Sequence, residues 1–285
     1  MKLSSNFIFF HDSFGLKKTI DIFADAGFEG IDFNNDVKQY HDDTHSKAFY
    51  EEIKKYALDK GISFYQTHAP FLGHITDENN FNEHFNNTVK AMEYSSYLGA
   101  EMTVIHPIRH VDILDPAEHF DALYEYNMKF YKELIPYAEE YNVKIAIENI
   151  KGAITQKPID LLNLLKDLNS EAFVVCYDVG HDNISGQNPV ESIITLGDVI
   201  ACTHFHDNDG IADRHTLPFF GSIDFESVME AFAKINYGGN LNYEAGYFVN
   251  GVPDGLRPAA AEYMVKTGKY LIDRFKFYKK VGFDN

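Results

Sequence analysis

Six apolar runs of strand length in this chain each end on a side chain that binds metal ions well. The stretch 61–68 ends on His68 and the stretch 102–106 on His106. Glu148 follows Ile145-Ala146-Ile147, Asp178 follows Val174-Val175-Cys176-Tyr177, His204 follows Ile200-Ala201-Cys202-Thr203, and Glu244 follows Leu241-Asn242-Tyr243. Taking a lone ion out of water costs several kcal/mol, or shifts its pKa until it neutralises. Acids and histidines at successive buried strand ends are therefore most simply reconciled by a shared cation. Sharing requires the strand ends to meet, and a parallel barrel brings all of them to one face.

The rest of the chain follows the same pattern. Strand-like and helix-like segments alternate from end to end, as in parallel α/β proteins. Candidate strands cover 2–9, 30–33, 62–68, 102–106, 144–149, 173–178, 199–204 and 240–244. Eight strands in 285 residues, with no linker or low-complexity tract, predict one (β/α)8 barrel as a single domain over 1–285. A helix beginning at Pro158 puts Leu161, Leu162, Leu165 and Leu168 on one stripe, and a last helix is expected over 258–276. Gly27, Gly61, Gly99 and Asn142, each just ahead of a strand, read as helix C-caps. The rival is a doubly wound open sheet. It would scatter the ligand residues along an edge, and no Gly-rich phosphate loop supports it.

Charge narrows the partners. The formal net charge is −18 and no run of Lys or Arg interrupts it, so no nucleic-acid partner is expected. Cys176 and Cys202 both lie in apolar strand-like segments and read as reduced core thiols. Phe7-Ile8-Phe9-Phe10 is too short for a signal-peptide core, and no apolar run approaches the roughly 18 residues of a membrane helix. The expectation is a soluble, cytoplasmic protein without a membrane partner.

Taken together, His68-Ala69-Pro70, His106-Pro107, Ile147-Glu148-Asn149, Tyr177-Asp178-Val179-Gly180-His181, His204-Phe205-His206-Asp207-Asn208-Asp209, Asp213-Arg214-His215 and Tyr243-Glu244 carry a resemblance. In order and spacing the set resembles the xylose isomerase-like TIM-barrel superfamily, which includes sugar isomerases and epimerases and also endonuclease IV. The resemblance implies that Glu148, Asp178, His204 and Glu244 hold a divalent metal, with Zn, Mn, Mg and Co as candidates. On the endonuclease IV pattern, His68 and His106 join Glu148 at a second zinc, and His181, Asp213 and His215 hold a third. One ion is thus expected and up to three are allowed. The resemblance also admits a homo-oligomer. It departs at Leu217-Pro218-Phe219-Phe220-Gly221-Ser222-Ile223-Asp224, where a Gly-Glu-Gly turn is usual and only Gly221 remains, which leaves the loop after His215 open.

The chemistry also stands on the residues alone. Three oxygens and one nitrogen from Glu148, Asp178, His204 and Glu244 form a mixed, mainly hard ligand set. An ion there would chelate a carbonyl and the adjacent hydroxyl, and Glu148 and Glu244 would be the catalytic pair that removes and returns a proton through an enediolate. The expected function is isomerisation or epimerisation of a small carbohydrate: a sugar, sugar phosphate or polyol. The alternatives are an endonuclease IV-like zinc phosphodiesterase, against which the charge counts, a metal-dependent dehydratase, and a barrel that binds without catalysis. His206 lies two residues from His204, hence on the same strand face, and is assigned to substrate. Arg109, Lys151 and Arg214 fall just past strand ends, as substrate-binding phosphate or carboxylate contacts or as ordinary surface charges. Asp178 is equally suited to cap the following helix. Asp207-Asn208-Asp209 reads as a turn, and His41-Asp42-Asp43-Thr44-His45 as a solvated capping loop.

Overall fold

The computed structural model describes residues 1–35, 40, 45–71, 74–110 and 118–282. Residues 41–44 of the expected capping loop lie outside them. Eight strands form one parallel sheet: β1 (Leu3–Asn6), β2 (Gly30–Asn34), β3 (Ser63–His68), β4 (Met102–Ile105), β5 (Lys144–Glu148), β6 (Phe173–Asp178), β7 (Ile200–His204) and β8 (Leu241–Tyr243). Each pairs with its successor through β7, and β8 pairs back onto β1. The remaining seam between β7 and β8 is closed by a bridge from Phe205 to Tyr243, where Phe205 N–H donates to the Asn242 carbonyl at 2.7 Å and Glu244 N–H to the Phe205 carbonyl at 3.1 Å. The result is the (β/α)8 barrel that the strand count predicts.

All eight expected strands form, but the first stops early. It was expected to reach Phe9; instead it ends at Asn6 and a helix spans Ile8–Phe14. The Asn6 side chain accepts the Ile8 N–H at 3.0 Å and turns the backbone. Phe7, Phe10 and His11 are then buried at helical spacing. A short apolar run does not distinguish strand from helix by periodicity, and here the Asn decides.

Helices cover the outside of the barrel and bury one stripe each. In Pro158–Leu168 the buried stripe is Leu161, Leu164 and Leu168, so the expected stripe is corrected: Leu162 and Leu165 lie at its half-buried margin. The last helix runs Arg257–Val281, longer than expected. Gly27, Gly99 and Asn142 close their helices in the left-handed region, as C-caps must to turn the chain back into a strand. Inside the barrel, Val104, Ala146, Cys176 and Cys202 pack into a small apolar plug, and both cysteines are free thiols. Cys176 and Cys202 precede Asp178 and His204 by two residues and share their strand face, so the polar side chains stand directly above this plug. Beyond the C-terminal ends of β3 and β4, His74–Ile75 and Arg109–His110 pair as a second, two-stranded parallel sheet. Among the described residues no helix is long and apolar enough to cross a membrane.

Candidate metal centre

Strand ends deliver the polar residues to one mouth. His68, Glu148, Asp178 and His204 are the last residues of β3, β5, β6 and β7, while His106 and Glu244 lie one residue past β4 and β8. Glu148 is fully buried at the middle of the group. Its Oε1 lies 3.1 Å from His204 Nδ1 and 3.2 Å from His181 Nδ1, and its Oε2 lies 3.0 Å from His106 Nε2 and 3.5 Å from His68 Nε2.

Local backbone chemistry places the rest. Asp178 caps the helix Val179–Ile184 by accepting the His181 N–H at 2.6 Å, so both readings of this residue meet in one side chain. That early helix start brings His181 back over Glu148. Gly180 is required there, because a Cβ would fall 2.0 Å from the His206 ring. Past β7, Asp207 accepts the backbone N–H groups of Asn208 (2.8 Å), Phe219 (3.0 Å), Gly221 (2.8 Å) and Ile223 (3.2 Å). A Cβ on Gly221 would lie 2.3 Å from Asp207 Oδ1, which explains the one glycine retained in the loop after His215. That loop is a tight wrap on Asp207.

Among the described residues the donor atoms fall into three groups, each with its ligand atoms within 4.8 Å of one another: Glu148, Asp178, His204 and Glu244; His68, His106 and Glu148; and His181, His206, Asp213 and His215. All nine ligand candidates from the sequence are therefore together, with Glu148 shared by two groups. His206 joins the third group, a placement the sequence reading did not give it, although its ring stacks on that of His215 with centroids 3.8 Å apart and planes 13° from parallel. A bound ion lies in the plane of each imidazole that holds it, so one ion does not sit in both of these rings as arranged. His206 Nε2 instead stands 3.0 Å from Asp178 Oδ1.

Burial and charge pull the histidines in opposite directions. Burial lowers each imidazole pKa, but Glu148 pushes His68 up to about 9, and Asp213 and Glu244 push His215 up to about 9. His181 and His204 are also held well above the ordinary value, against burial, by Asp178 and by Glu244 and Glu148. At His106 burial wins and the pKa falls. The carboxylates answer in kind. Burial would raise them, yet His204 and His106 hold Glu148 well below the usual range, His181 and His206 lower Asp178, and His181 and His215 lower Asp213. The site is an anionic nest that takes up positive charge, as protons or as metal.

Two features fit metal. Glu148 Oε2, Asp178 Oδ2 and both His206 ring nitrogens are buried without a hydrogen-bond partner, which is costly unless something else engages them. His68 Nδ1–H donates to the Ala69 carbonyl at 2.7 Å and His215 Nδ1–H to the Glu244 carbonyl at 2.9 Å, leaving each Nε2 facing the carboxylates. Metal-binding histidines are oriented in this way.

The remaining charged candidates sit further out. Arg109 Nη2 donates to the Lys151 carbonyl at 2.9 Å, so those two loops meet, and the Lys151 side chain is exposed. Arg214 pairs with Asp209 at 2.9 Å and lines, with Asp213, Phe220 and Tyr247, a cavity of about 420 Å³. Asp32, which is not among the residues expected from the sequence, is buried on β2 with Oδ2 3.4 Å from His204 Nε2. An acid inside the buried strand Gly30-Ile31-Asp32-Phe33 was the available signal.

Comparison with known proteins agrees with this fold. Residues 20–264 match the family described as xylose isomerase-like TIM barrel. The protein y4fM of Sinorhizobium fredii, described as uncharacterized, is 27% identical over 255 residues, 81% of each chain. Among solved structures, a D-tagatose 3-epimerase-like protein superposes with a TM-score of 0.80 at 22% identity, covering 99% of this chain and all of the other. The IOLI protein with a binding zinc atom gives 0.76 at 21% identity, covering 98% of this chain and 99% of the other.

Proposed function

The chain belongs to the xylose isomerase-like TIM barrel family, and we propose that it is a divalent-metal-dependent isomerase or epimerase of a sugar, sugar phosphate or polyol. The observation that carries this is the group Glu148, Asp178, His204 and Glu244, three carboxylates and one imidazole with ligand atoms within 4.8 Å of one another. A divalent ion held there would polarise a carbonyl and its neighbouring hydroxyl and acidify the C–H between them. Asp178, held by its helix cap, and His204, which presents Nδ1 to the three carboxylates, serve as ligands. Glu148 and Glu244 end strands on different sides of the barrel and bracket His204 Nδ1 at 3.1 and 3.5 Å. They are the pair that takes a proton from one face of a sugar carbon and returns it on the other. Glu244 is the more open of the two, its side chain 12% exposed against 0% for Glu148. The fold likeness to a D-tagatose 3-epimerase-like protein and to a zinc-bound protein lends support. The test is incubation of the metal-loaded protein with a panel of ketoses and inososes in deuterium oxide. Turnover with exchange of one carbon-bound hydrogen is expected; release of product without exchange would sink the reading.

The two further donor groups favour a second reading, hydrolysis of a phosphodiester by three zinc ions with Glu148 shared. The −18 charge weighs against a polyanionic substrate. Metal analysis of protein purified without chelator separates the two: one ion per chain supports the isomerase, whereas three zinc ions with cleavage of an abasic duplex at roughly 150 mM salt would support the hydrolase.

A further inference from the structure

Asp32 is a carboxylate in the barrel interior with no exposed surface, and it belongs to none of the three donor groups. Burying a carboxylate is costly unless neighbours engage it, and here they engage one oxygen, Oδ1 being buried without a partner. Its Oδ2 accepts from Gln66 Nε2 of β3 at 3.1 Å and from Asn242 Nδ2 of β8 at 2.9 Å. Ser4 of β1 donates to Asn242 Oδ1 at 2.8 Å, which fixes the direction of that amide. The same Asp32 Oδ2 lies 3.4 Å from His204 Nε2, within ion-pair distance of a nitrogen that has no hydrogen-bond partner. Four strands thus hold one carboxylate against the back of one imidazole.

The front of that imidazole faces the donor group. His204 Nδ1 lies 3.1 Å from Glu148 Oε1, 3.5 Å from Glu244 Oε2 and 3.8 Å from Asp178 Oδ2. A neutral imidazole that gives one nitrogen to a metal carries its proton on the other, and a hydrogen-bond acceptor at that other nitrogen selects the tautomer. Unlike His68 and His215, whose outward nitrogens are held by backbone carbonyls, His204 has only a side chain in that place. We infer that Asp32 is the positioning residue of the site: it holds His204 as the Nε2–H tautomer, ring fixed, with Nδ1 presented to the cation.

This inference rests on the reading of Glu148, Asp178, His204 and Glu244 as a metal site, and its test separates the two. Metal-free protein, wild type and Asp32→Asn, is titrated with Co²⁺ at fixed pH. Asn keeps the size and one oxygen for Gln66 and Asn242 but removes the charge behind His204. The expected result is wild-type binding and a loss of affinity of about 10–100-fold in the variant, the range seen when such outer partners are removed. Equal affinity in a folded Asp32→Asn, as judged by circular dichroism, would overturn the inference and leave the metal reading intact. No Co²⁺ binding by the wild type would overturn both. A second measurement needs no variant: ¹⁵N-histidine spectra of the Zn²⁺-loaded wild type should show one ring with metal at Nδ1 and a slowly exchanging proton on Nε2. A proton on Nδ1 of His204 would overturn the inference. A purely structural Asp32 would change thermal stability and move neither readout.

Discussion

Asn149 clasps the backbone of Asp178 with both ends of its amide. Its Oδ1 accepts the Asp178 N–H at 2.7 Å and its Nδ2 donates to the Asp178 carbonyl at 2.8 Å. Asn149 follows Glu148 directly, so one amide sets the spacing between candidate ligands on neighbouring strands. Asn149→Ala removes both of these buried hydrogen bonds, which together contribute about 1–3 kcal/mol. The expected outcome is that loss in urea unfolding, with weaker metal binding in the folded protein. Unchanged metal affinity would show that β5 and β6 hold their spacing without the clasp.

The two glutamates should separate binding from turnover. Glu148→Gln and Glu244→Gln each keep an oxygen donor but remove a base. Each should still take up metal, by elemental analysis, while turnover on an accepted sugar falls about 10²-fold or more. Full activity in both variants would move the proton transfer to other residues, with His181, Asp213 and His215 next in line.

Metal loading should release protons. His204 is held well above the ordinary imidazole value by Glu244 and Glu148, so it carries a proton at neutral pH and must lose it to bind metal. Apparent affinity should therefore rise as the pH rises above 7. Calorimetric titration with Zn²⁺ in two buffers of different ionisation enthalpy reads the release directly. Equal heats in both buffers would contradict it.

A histidine outside the site predicts acid sensitivity. His84 is buried in the helix Glu78–Leu98 with its ring 5.3 Å from that of Phe130, and burial, aided by the charge of His106, lowers its pKa to about 4. Its ordinary value is 6.5, so the unfolded chain binds the proton first. The stability it supplies is complete above pH 6.5 and is lost as the pH falls towards 4. The full difference is about 3 kcal/mol. The wild type should lose more stability than His84→Gln between pH 6.5 and 4.5 in chemical denaturation; parallel curves would show that His84 does not titrate there.

Much of the barrel was legible because a strand buried on both faces leaves its polar residue only at the end. Glu148, Asp178 and His204 announce themselves by terminating apolar runs, and those ends are where the structure places them. The helix Ile8–Phe14 was not legible, since four apolar residues fit either periodicity and the deciding contact is the Asn6 side chain. Asp32 was overlooked for a related reason. It sits within its strand rather than at the end, and its meaning comes from Gln66, Asn242 and His204, which the sequence scatters widely. The orientation of His206 was out of reach as well. Its spacing from His204 gives the strand face, but its place against Asp178 depends on Gly180 leaving room for the ring.

No contiguous stretch of this chain carries the Glu148, Asp178, His204 and Glu244 group; its members arrive from four strands between residues 148 and 244. An unfolded chain would hold them far apart and offer a cation little. Any ion that settles there acts as a removable rivet across half the barrel, and stabilises it by an amount that grows with the logarithm of its free concentration. Chelation would then act as a mild denaturant specific to this protein, loosening first the strands whose ends the ion had joined.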